Sequence, residues 1–443
     1  MYILPKTKCI PPHSLKLTQE KNNFFLFKHL FSDLSNLKSK IGEEKYLKYW
    51  DKAKRKVNPY ELVHVLGTNQ LNPLPSTIKN IDLYSPLSRA FFKMIEIYDC
   101  GNIIPEAYKK KAGYIAHLAE GPGGFAEAIF KKRKSKGFFD KTHAITLYAK
   151  NRNIPGWTQL QRRKNHPLHK SQVTLHTGNL YRTGTLIFFS KLFAAKKAFL
   201  ITCDGGFDYS NDFNNQEKAS FRIIFSEITL GLAIQEIGGT MVCKMFDLFT
   251  HFSAKMIYIL TLLYDDVYIF KPKSSRPANS EKYIIAKKFR GVSQTLLKSM
   301  FSIIDRWEKF YKQPQVPRQK IIFSNSFNSL DPDFKKIKVK KSGLTLNIFL
   351  PMQFIKVFKN HISFFTYQQK KYITETLEFI KDPQKNKKDI QIALATKWFI
   401  KHEIITKNEI KKIFHQLKNE ENDDLRRNSK TEKKVNVNLH NNA

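Results

Sequence analysis

Cysteine is scarce in this chain. Four occur in 443 residues, at Cys9, Cys100, Cys203 and Cys243, and none stands at a CxxC or Cys/His metal spacing. That speaks against a zinc module and against a disulfide framework, and it fits a reducing compartment. Acidic residues are few: 38 Asp and Glu stand against 76 Lys and Arg, a formal net charge of +38. Long apolar runs are missing as well. The longest, Met256–Tyr264, is far short of a membrane span. Residues 1–14 lack the charged-then-apolar order of a signal segment. The expectation is a soluble, intracellular, cytoplasmic protein with no membrane partner.

What is present is a large apolar fraction, 42% with 36 Phe, which excludes a wholly disordered basic tail and requires a real core. Most of the charge is then carried on the surface. A self-repelling surface of this kind faces a polyanion, nucleic acid first and anionic membrane second. The excess is not a detachable tail: residues 1–80 carry +8, residues 81–290 carry +15 and residues 291–443 carry +15. It is densest over residues 131–170, at +11, with Lys131, Lys132, Arg133, Lys134 and Lys136 followed by Arg152, Arg162, Arg163, Lys164 and Lys170. A single charge run is often no more than a solvated face, but two runs flanking one short strand can form one patch. From Asn419 the chain is polar and aperiodic and reads as a disordered tail.

Residues 81–290 alternate short apolar strands with helical patterns, the signature of an α/β fold with a mostly parallel sheet. Seven strands are expected, at Tyr114–Ala119, His143–Leu147, Gln172–His176, Ala198–Cys203, Thr240–Met245, Asp266–Phe270 and Lys282–Ala286. The last two, joined by the short loop Lys271–Ser280, read as an antiparallel pair ending the sheet. Helices are expected over Ser88–Ile97, Phe125–Arg133 and Phe221–Ile237. The flanks read as an N-terminal extension over residues 1–80, with helix within Asn23–Lys52, and a basic, mostly helical region over residues 291–418. That region has helical patterns at Ser293–Phe310 and Ala393–Leu417 and breaks at Pro314, Pro317 and Pro332.

Five short segments carry chemistry. Glu120, Gly121, Pro122, Gly123, Gly124 and Phe125 lie where the first strand turns into a helix. Glycines there let the backbone approach a ligand, and in doubly wound folds this turn is where a nucleotide-like cofactor sits. The spacing is neither GxGxxG nor a phosphate loop, and an ordinary turn would look alike. Asp204, before Gly205 and Gly206, ends the fourth strand, and Lys244 ends the fifth. Parallel strands put both at one sheet edge. A lysine at that place is costly unless paired, and partial burial that depresses its pKa makes it a base. Glu281 opens the last strand and Lys93 lies on a largely apolar helix. Singly these read as a cap, a snorkelling side chain or a strand start. Together they make an acid–lysine cluster able to hold one amine neutral.

The segments SRAFFKMIEI (Ser88–Ile97), AEGPGGF (Ala119–Phe125), ITLYAKNRNIPGW (Ile145–Trp157), CDGGF (Cys203–Phe207), GGTMVCKMF (Gly238–Phe246) and SSRPANSEKY (Ser274–Tyr283) occur in that order. The set resembles the FtsJ-type (RrmJ-like) RNA 2'-O-ribose methyltransferases over Ser85–Lys288. It is most similar to their mRNA-cap branch, including the FtsJ-like enzymes of large cytoplasmic DNA viruses of the African swine fever type. The resemblance implies a Rossmann-like seven-stranded methyltransferase sheet and a catalytic tetrad falling on Lys93, Asp204, Lys244 and Glu281. It implies S-adenosylmethionine over Glu120–Phe125, with Leu147, Asn179 and Asp204 also against the cofactor, and no metal. Lys244 would accept the 2'-hydroxyl proton, Asp204 would orient it, and Lys93 and Glu281 would position the ribose. The implied partners are RNA, capped mRNA before other RNA, and the capping or transcription machinery. Asn179 stands where Asp is commoner, and no acid follows the second strand.

The +11 stretch would grip phosphates, and Trp157, Tyr148 and Tyr181 are candidates to stack a base, with core packing the plainer reading of each. Two other functions fit less fully: a methyltransferase of rRNA or tRNA, and a non-catalytic RNA-binding protein on the same scaffold.

Overall fold

The computed structural model describes residues 1–6, 11–19, 24–67, 86–148, 155–206, 214–312, 344–383 and 388–404. The chain forms two compact units, residues 1–57 with 86–385 and residues 58–85 with 386–443. The first unit therefore draws on both flanks, where the sequence suggested an extension ending at residue 80 and a separate region from residue 291. The tail from residue 419 and the breaks at Pro314, Pro317 and Pro332 lie outside the described residues.

The strands are β1 (Tyr2–Ile3), β2 (Leu17–Gln19), β3 (Tyr114–Leu118), β4 (Lys141–Thr146), β5 (Val173–Thr177), β6 (Ala198–Cys203), β7 (Gln235–Met245), β8 (Tyr264–Phe270), β9 (Lys282–Phe289) and β10 (Leu344–Leu346). The helices up to residue 312 are α1 (Lys28–Ile41), α2 (Glu44–Val57), α3 (Glu61–Gly67), α4 (Ala90–Gly101), α5 (Gly124–Lys134), α6 (Thr158–Arg162), α7 (Thr183–Lys191), α8 (Gln216–Ile234), α9 (His251–Leu263) and α10 (Gln294–Lys312).

An α/β sheet of Rossmann-like type dominates the first unit, in the order β1-β8-β9-β7-β6-β3-β4-β5. Strands β7, β6, β3, β4 and β5 run parallel, which requires the helical crossovers between them. Covered on both faces, such strands read as unbroken apolar runs, and every residue of β6 is buried. β9 pairs antiparallel with β7 and β8 pairs antiparallel with β9, so the pair joined by the short loop does lie beyond β7. The seven expected strands are β3 to β9. An eighth, β1, pairs Tyr2 with Ile269 at the far edge. Two residues have no periodicity, so that strand has no sequence signal.

The apolar run at Met256–Tyr264 is the buried body of α9 and the first residue of β8. Thr250 caps α9 by accepting the Ser253 amide. No helix among the described residues is long and apolar enough to cross a membrane.

A helix over Met352–Lys381 falls within the region expected to be mostly helical, although no pattern marked its bounds. Its inward residues Phe354, Phe358, Ile362, Phe365, Gln369, Ile373 and Thr376 follow helical spacing, but Gln369 and Thr376 interrupt the apolar stripe. It packs against α1 and α2. In the second unit α3 packs on a helix over Lys388–Lys401, which starts earlier than the expected Ala393. The Asn58 amide donates to Glu61 at 2.7 Å and Gln391 donates to the Asn58 carbonyl at 2.7 Å.

Candidate active site

The register of three strands assembles the site. β6 and β7 pair Cys203 with Cys243, so the next residues, Asp204 and Lys244, leave the sheet side by side. β9 runs the other way and pairs Tyr283 with Lys244, which brings Glu281, just before it, to the same edge. Lys93 reaches that edge from α4. Its ammonium lies 2.8 Å from Glu281 Oε1 and donates to Oε2 at 2.9 Å. Lys244 Nζ donates to the Asp204 main-chain oxygen at 2.6 Å and lies 3.0 Å from Asp204 Oδ1. The four residues thus form two ion pairs in one partly enclosed cluster.

The charges in this cluster differ from the sequence expectation. Burial acts to lower the pKa of Lys244, but Asp204, Glu281 and Glu227 outweigh it, so the pKa stands above the usual lysine value. Lys244 is therefore an ammonium here, not the neutral amine that burial alone would make. Burial raises Asp204, against the pull of Lys244 and Lys93. For Glu281 burial loses to Lys93 and Lys244, and its pKa drops to about 2.

Beside this edge, β3 ends in the glycine turn. Glu120 Oε1 accepts the amides of Phe125 at 2.6 Å and Ala126 at 3.1 Å, which satisfies two orphan donors at the start of α5. Its other oxygen is buried without a hydrogen-bond partner. Burial first, then Asp204, pushes the Glu120 pKa well up. Gly123 has φ +116°, open to glycine at little cost. A Cβ on Gly124 would meet Ser88 Oγ at 2.3 Å and the Phe91 nitrogen at 2.9 Å, so glycine is what lets α5 lie against the start of α4. Leu147 is 39% exposed at the end of β4, and Asn179 uses its Oδ1 to accept the Tyr181 amide at 2.9 Å.

Residues that the sequence reading missed hold the cluster from behind. Glu227 of α8 accepts the Gly205 amide at 2.8 Å, and its second oxygen is buried without a hydrogen-bond partner. Burial raises its pKa to about 8, against Lys244. A lone carboxylate inside the apolar run of α8 was the available signal. Lys271, directly after β8, donates to the carbonyls of Asn279 at 2.6 Å and Glu281 at 2.8 Å. Burial, with Lys282 adding to it, lowers its pKa to about 7. Glu96 of α4 accepts the amides of Lys273 at 2.7 Å and Ser274 at 3.0 Å, and Ser275 donates to Glu281 at 2.9 Å. The loop bearing Glu281 is therefore clamped from both sides.

The basic stretch splits. Arg133 is buried, with its guanidinium on Asp140 at 2.6 Å and on the carbonyls of Tyr108 and Lys111 at 2.7 Å each, and Lys132 pairs with Asp99 at 2.9 Å. These two are structural cations, not phosphate ligands. Arg162, Arg163 and Lys164 are exposed, whereas Arg152 lies outside the described residues. Trp157 is a core residue whose indole donates to the His176 carbonyl at 2.8 Å, so it is not a stacking platform. The Tyr181 ring is covered by the Arg222 guanidinium at 4.1 Å. Tyr148 is 71% exposed beside Leu147. Among the described residues no group of three or more His, Cys, Asp or Glu is placed to hold a metal ion.

The mostly parallel sheet, the glycine turn after its first inner strand and the acid–lysine pairs at its carboxyl edge belong to the class of Rossmann-like methyltransferases. Residues 86–289 match the family model of the FtsJ-like methyltransferases, and this part of the chain is an FtsJ-like methyltransferase domain. The chain is similar to the cap-specific mRNA (nucleoside-2'-O-)-methyltransferase 1 of Ailuropoda melanoleuca, 29% identical over 243 residues, which cover 53% of this chain and 28% of that one. It is similar to the protein of the same name from Trypanosoma cruzi, 29% identical over 213 residues, covering 46% of this chain and 57% of that one. The chain thus spans less than two thirds of the length of either relative. Among solved structures, an rRNA methylase from Streptococcus thermophilus aligns at 11% identity with a TM-score of 0.28, over 44% of this chain and 97% of that one.

Proposed function

We propose that this protein is an S-adenosylmethionine-dependent RNA 2'-O-ribose methyltransferase acting on the cap-proximal nucleotide of mRNA. The observation that carries the reading is the pair of ion pairs, Lys93–Glu281 and Asp204–Lys244, at one sheet edge beside the glycine turn. The residues present fit the cofactor. Glu120 offers a buried oxygen with no hydrogen-bond partner beside the glycine turn, whose Gly121 and Gly124 are packed against Pro155 and Ser88, and Leu147, Asn179 and Asp204 complete the holding set. When bound, S-adenosylmethionine supplies an electrophilic methyl group on a sulfonium.

Lys244 must release one proton to solvent before it accepts another. A positive charge brought beside Glu120 and Asp204 favours that loss, because like charge disfavours the ammonium. Asp204 then holds the amine in line. As the ribose 2'-oxygen takes the methyl group, its proton passes to Lys244, while Lys93 and Glu281 fix the position of the ribose. Of the three aromatic candidates Tyr148 is the exposed one, which supports it as the ring that stacks a base. A reducing, cytoplasmic setting belongs to the same reading and is supported by the scarcity of cysteine, whereas the viral setting and contact with capping or transcription proteins rest on the family resemblance.

Transfer of labelled methyl from S-adenosylmethionine to capped and uncapped RNA, followed by mapping of the methylated ribose, tests this. Label confined to the first nucleotides of capped RNA is expected. Equal label on uncapped RNA would move the substrate to rRNA or tRNA. RNA binding with no label on any RNA would leave a non-catalytic scaffold.

A further inference from the structure

Helix α2 lies outside the FtsJ-like domain and presents a basic, aromatic face. Its apolar residues Tyr46, Trp50, Ala53 and Val57 are buried at spacings of four, three and four, and the helix packs on Met352–Lys381. The opposite face is exposed. Over residues 48–56 it carries Lys48, Lys52, Arg55 and Lys56, with Tyr49 50% exposed among them. The acid on that stretch is Asp51, which is bonded to Lys54. Two further acids, Glu43 and Glu44, lie at the other end, where Glu43 pairs with Lys45 at 3.0 Å.

Two hydrogen-bonded contacts and one charge interaction tie this helical layer to the site. Lys38 of α1 bonds Asp247, three residues past Lys244, at 2.6 Å with both side chains buried. Gln369, on the helix that supports α2, donates to the Ala278 carbonyl at 3.1 Å. Asp51 lies in the field of Arg276, within the loop whose Ser275 donates to Glu281. The helical layer that carries α2 is thereby bonded to the segments that flank Lys244 and Glu281, and Asp51 of α2 feels the charge of Arg276.

We propose that the exposed face of α2 over residues 48–56, with Arg276, is a binding surface for the sugar-phosphate backbone of single-stranded RNA leading away from the methylated ribose. The proposal rests on the enzyme reading for the identity of the strand, and it deepens that reading by assigning a role outside the methyltransferase domain. Lysines spaced by one helical turn suit successive phosphates, and an exposed tyrosine among them suits a base. An anionic membrane is the poorer fit, because the apolar side of α2 is turned into the protein.

The test compares the full chain, Lys48→Glu/Lys52→Glu, and the control Lys196→Glu/Lys197→Glu. The control makes the same charge change at two exposed lysines of the opposite sheet edge, just before β6. Fluorescence anisotropy reads binding to capped RNAs of about 20 and about 3 nucleotides between about 50 and 200 mM salt. The first variant is expected to bind the long RNA about tenfold more weakly, with a log–log salt slope shallower by about 1.4, from two lost contacts at about 0.7 each on single strands. Its binding of the short RNA and all binding by the control stay within about twofold. Unchanged long-RNA affinity, equal loss on both lengths, or equal loss in the control would overturn the surface, as would loss of binding to phosphatidylserine vesicles in place of RNA. If the double glutamate variant does not fold, Lys48→Gln/Lys52→Gln replaces it with the same signs expected. Binding needs no methyl transfer, so length-specific loss in a protein that methylates nothing would keep the surface and remove the enzyme reading. Methyl transfer with an affinity indifferent to these lysines would do the reverse.

Discussion

The ammonium of Lys244 donates to the main-chain oxygen of Asp204 at 2.6 Å and faces the carboxylate of the same residue at 3.0 Å. One residue thus holds the amine through two different groups. The main-chain bond fixes position in either protonation state, and the carboxylate sets the charge. A base held in this way is ready in geometry before it is ready in charge.

Lys244→Ala is expected to lower methyl transfer about 10²- to 10⁴-fold while RNA affinity changes little. Lys244→Arg is the sharper variant. Arginine keeps the pairing with Asp204 but does not deprotonate in proteins, so it is expected to be as inactive as alanine. Label counting on capped RNA with both variants checks this. An active arginine variant would remove the proton-accepting role from Lys244.

Glu227 gives a pH signature. Its pKa in the fold is about 8, against an ordinary 4.5. Between those values the unfolded chain has lost the proton and the folded chain keeps it, so this group makes stability fall as pH rises. Glu227→Gln removes that slope. Urea unfolding from pH 5 to pH 8 is expected to show the variant gaining on the wild type by up to about 1.4 kcal/mol per pH unit. A difference that does not change with pH would place Glu227 at an ordinary carboxylate pKa.

Much of this site was legible in the sequence because it is built at strand ends. A strand that stops at Cys203 or Cys243 puts the next residue at the sheet edge whatever the surroundings are, so Asp204 and Lys244 follow from chain order alone. Glu281 follows in the same way once its strand is antiparallel to β7. Lys93 is different. Helical spacing places it on α4 but does not aim it at Glu281, and the family resemblance supplied that step. The protonation state was not legible, because three acids around Lys244 outweigh its burial and one of them, Glu227, comes from a helix that reads as plain core. Nor does a run of basic residues separate Arg133, buried on Asp140, from exposed neighbours such as Lys134.

That difference within the run is testable. Arg133→Ala leaves Asp140 buried and its charge without its guanidinium partner, a loss of about 3 to 5 kcal/mol in folding stability. Lys134→Ala, on the exposed side of α5, is expected to stay within about 0.5 kcal/mol. Chemical denaturation of the two variants reads the difference directly. Measured on folded protein, RNA affinity should be unaffected by Arg133→Ala, since its donors are spent on Asp140, Tyr108 and Lys111.

The second ion pair calls for a double-mutant cycle. Glu281 holds Lys93 through both of its oxygens, at 2.8 and 2.9 Å, and is itself held by Ser275 at 2.9 Å. With a pKa of about 2 in the fold against 4.5 ordinarily, Glu281 contributes stability above pH 4.5 that is lost as pH falls toward 2. Glu281→Gln removes that contribution and leaves the Lys93 ammonium without its charge partner. If the two act as a unit, Lys93→Met and Glu281→Gln each lower methyl transfer nearly as much as the double variant does, with a coupling of about 0.5 to 3 kcal/mol in the cycle. Simple additivity of the two losses would mean that Lys93 and Glu281 serve the reaction separately, and that their ion pair is only a fold contact.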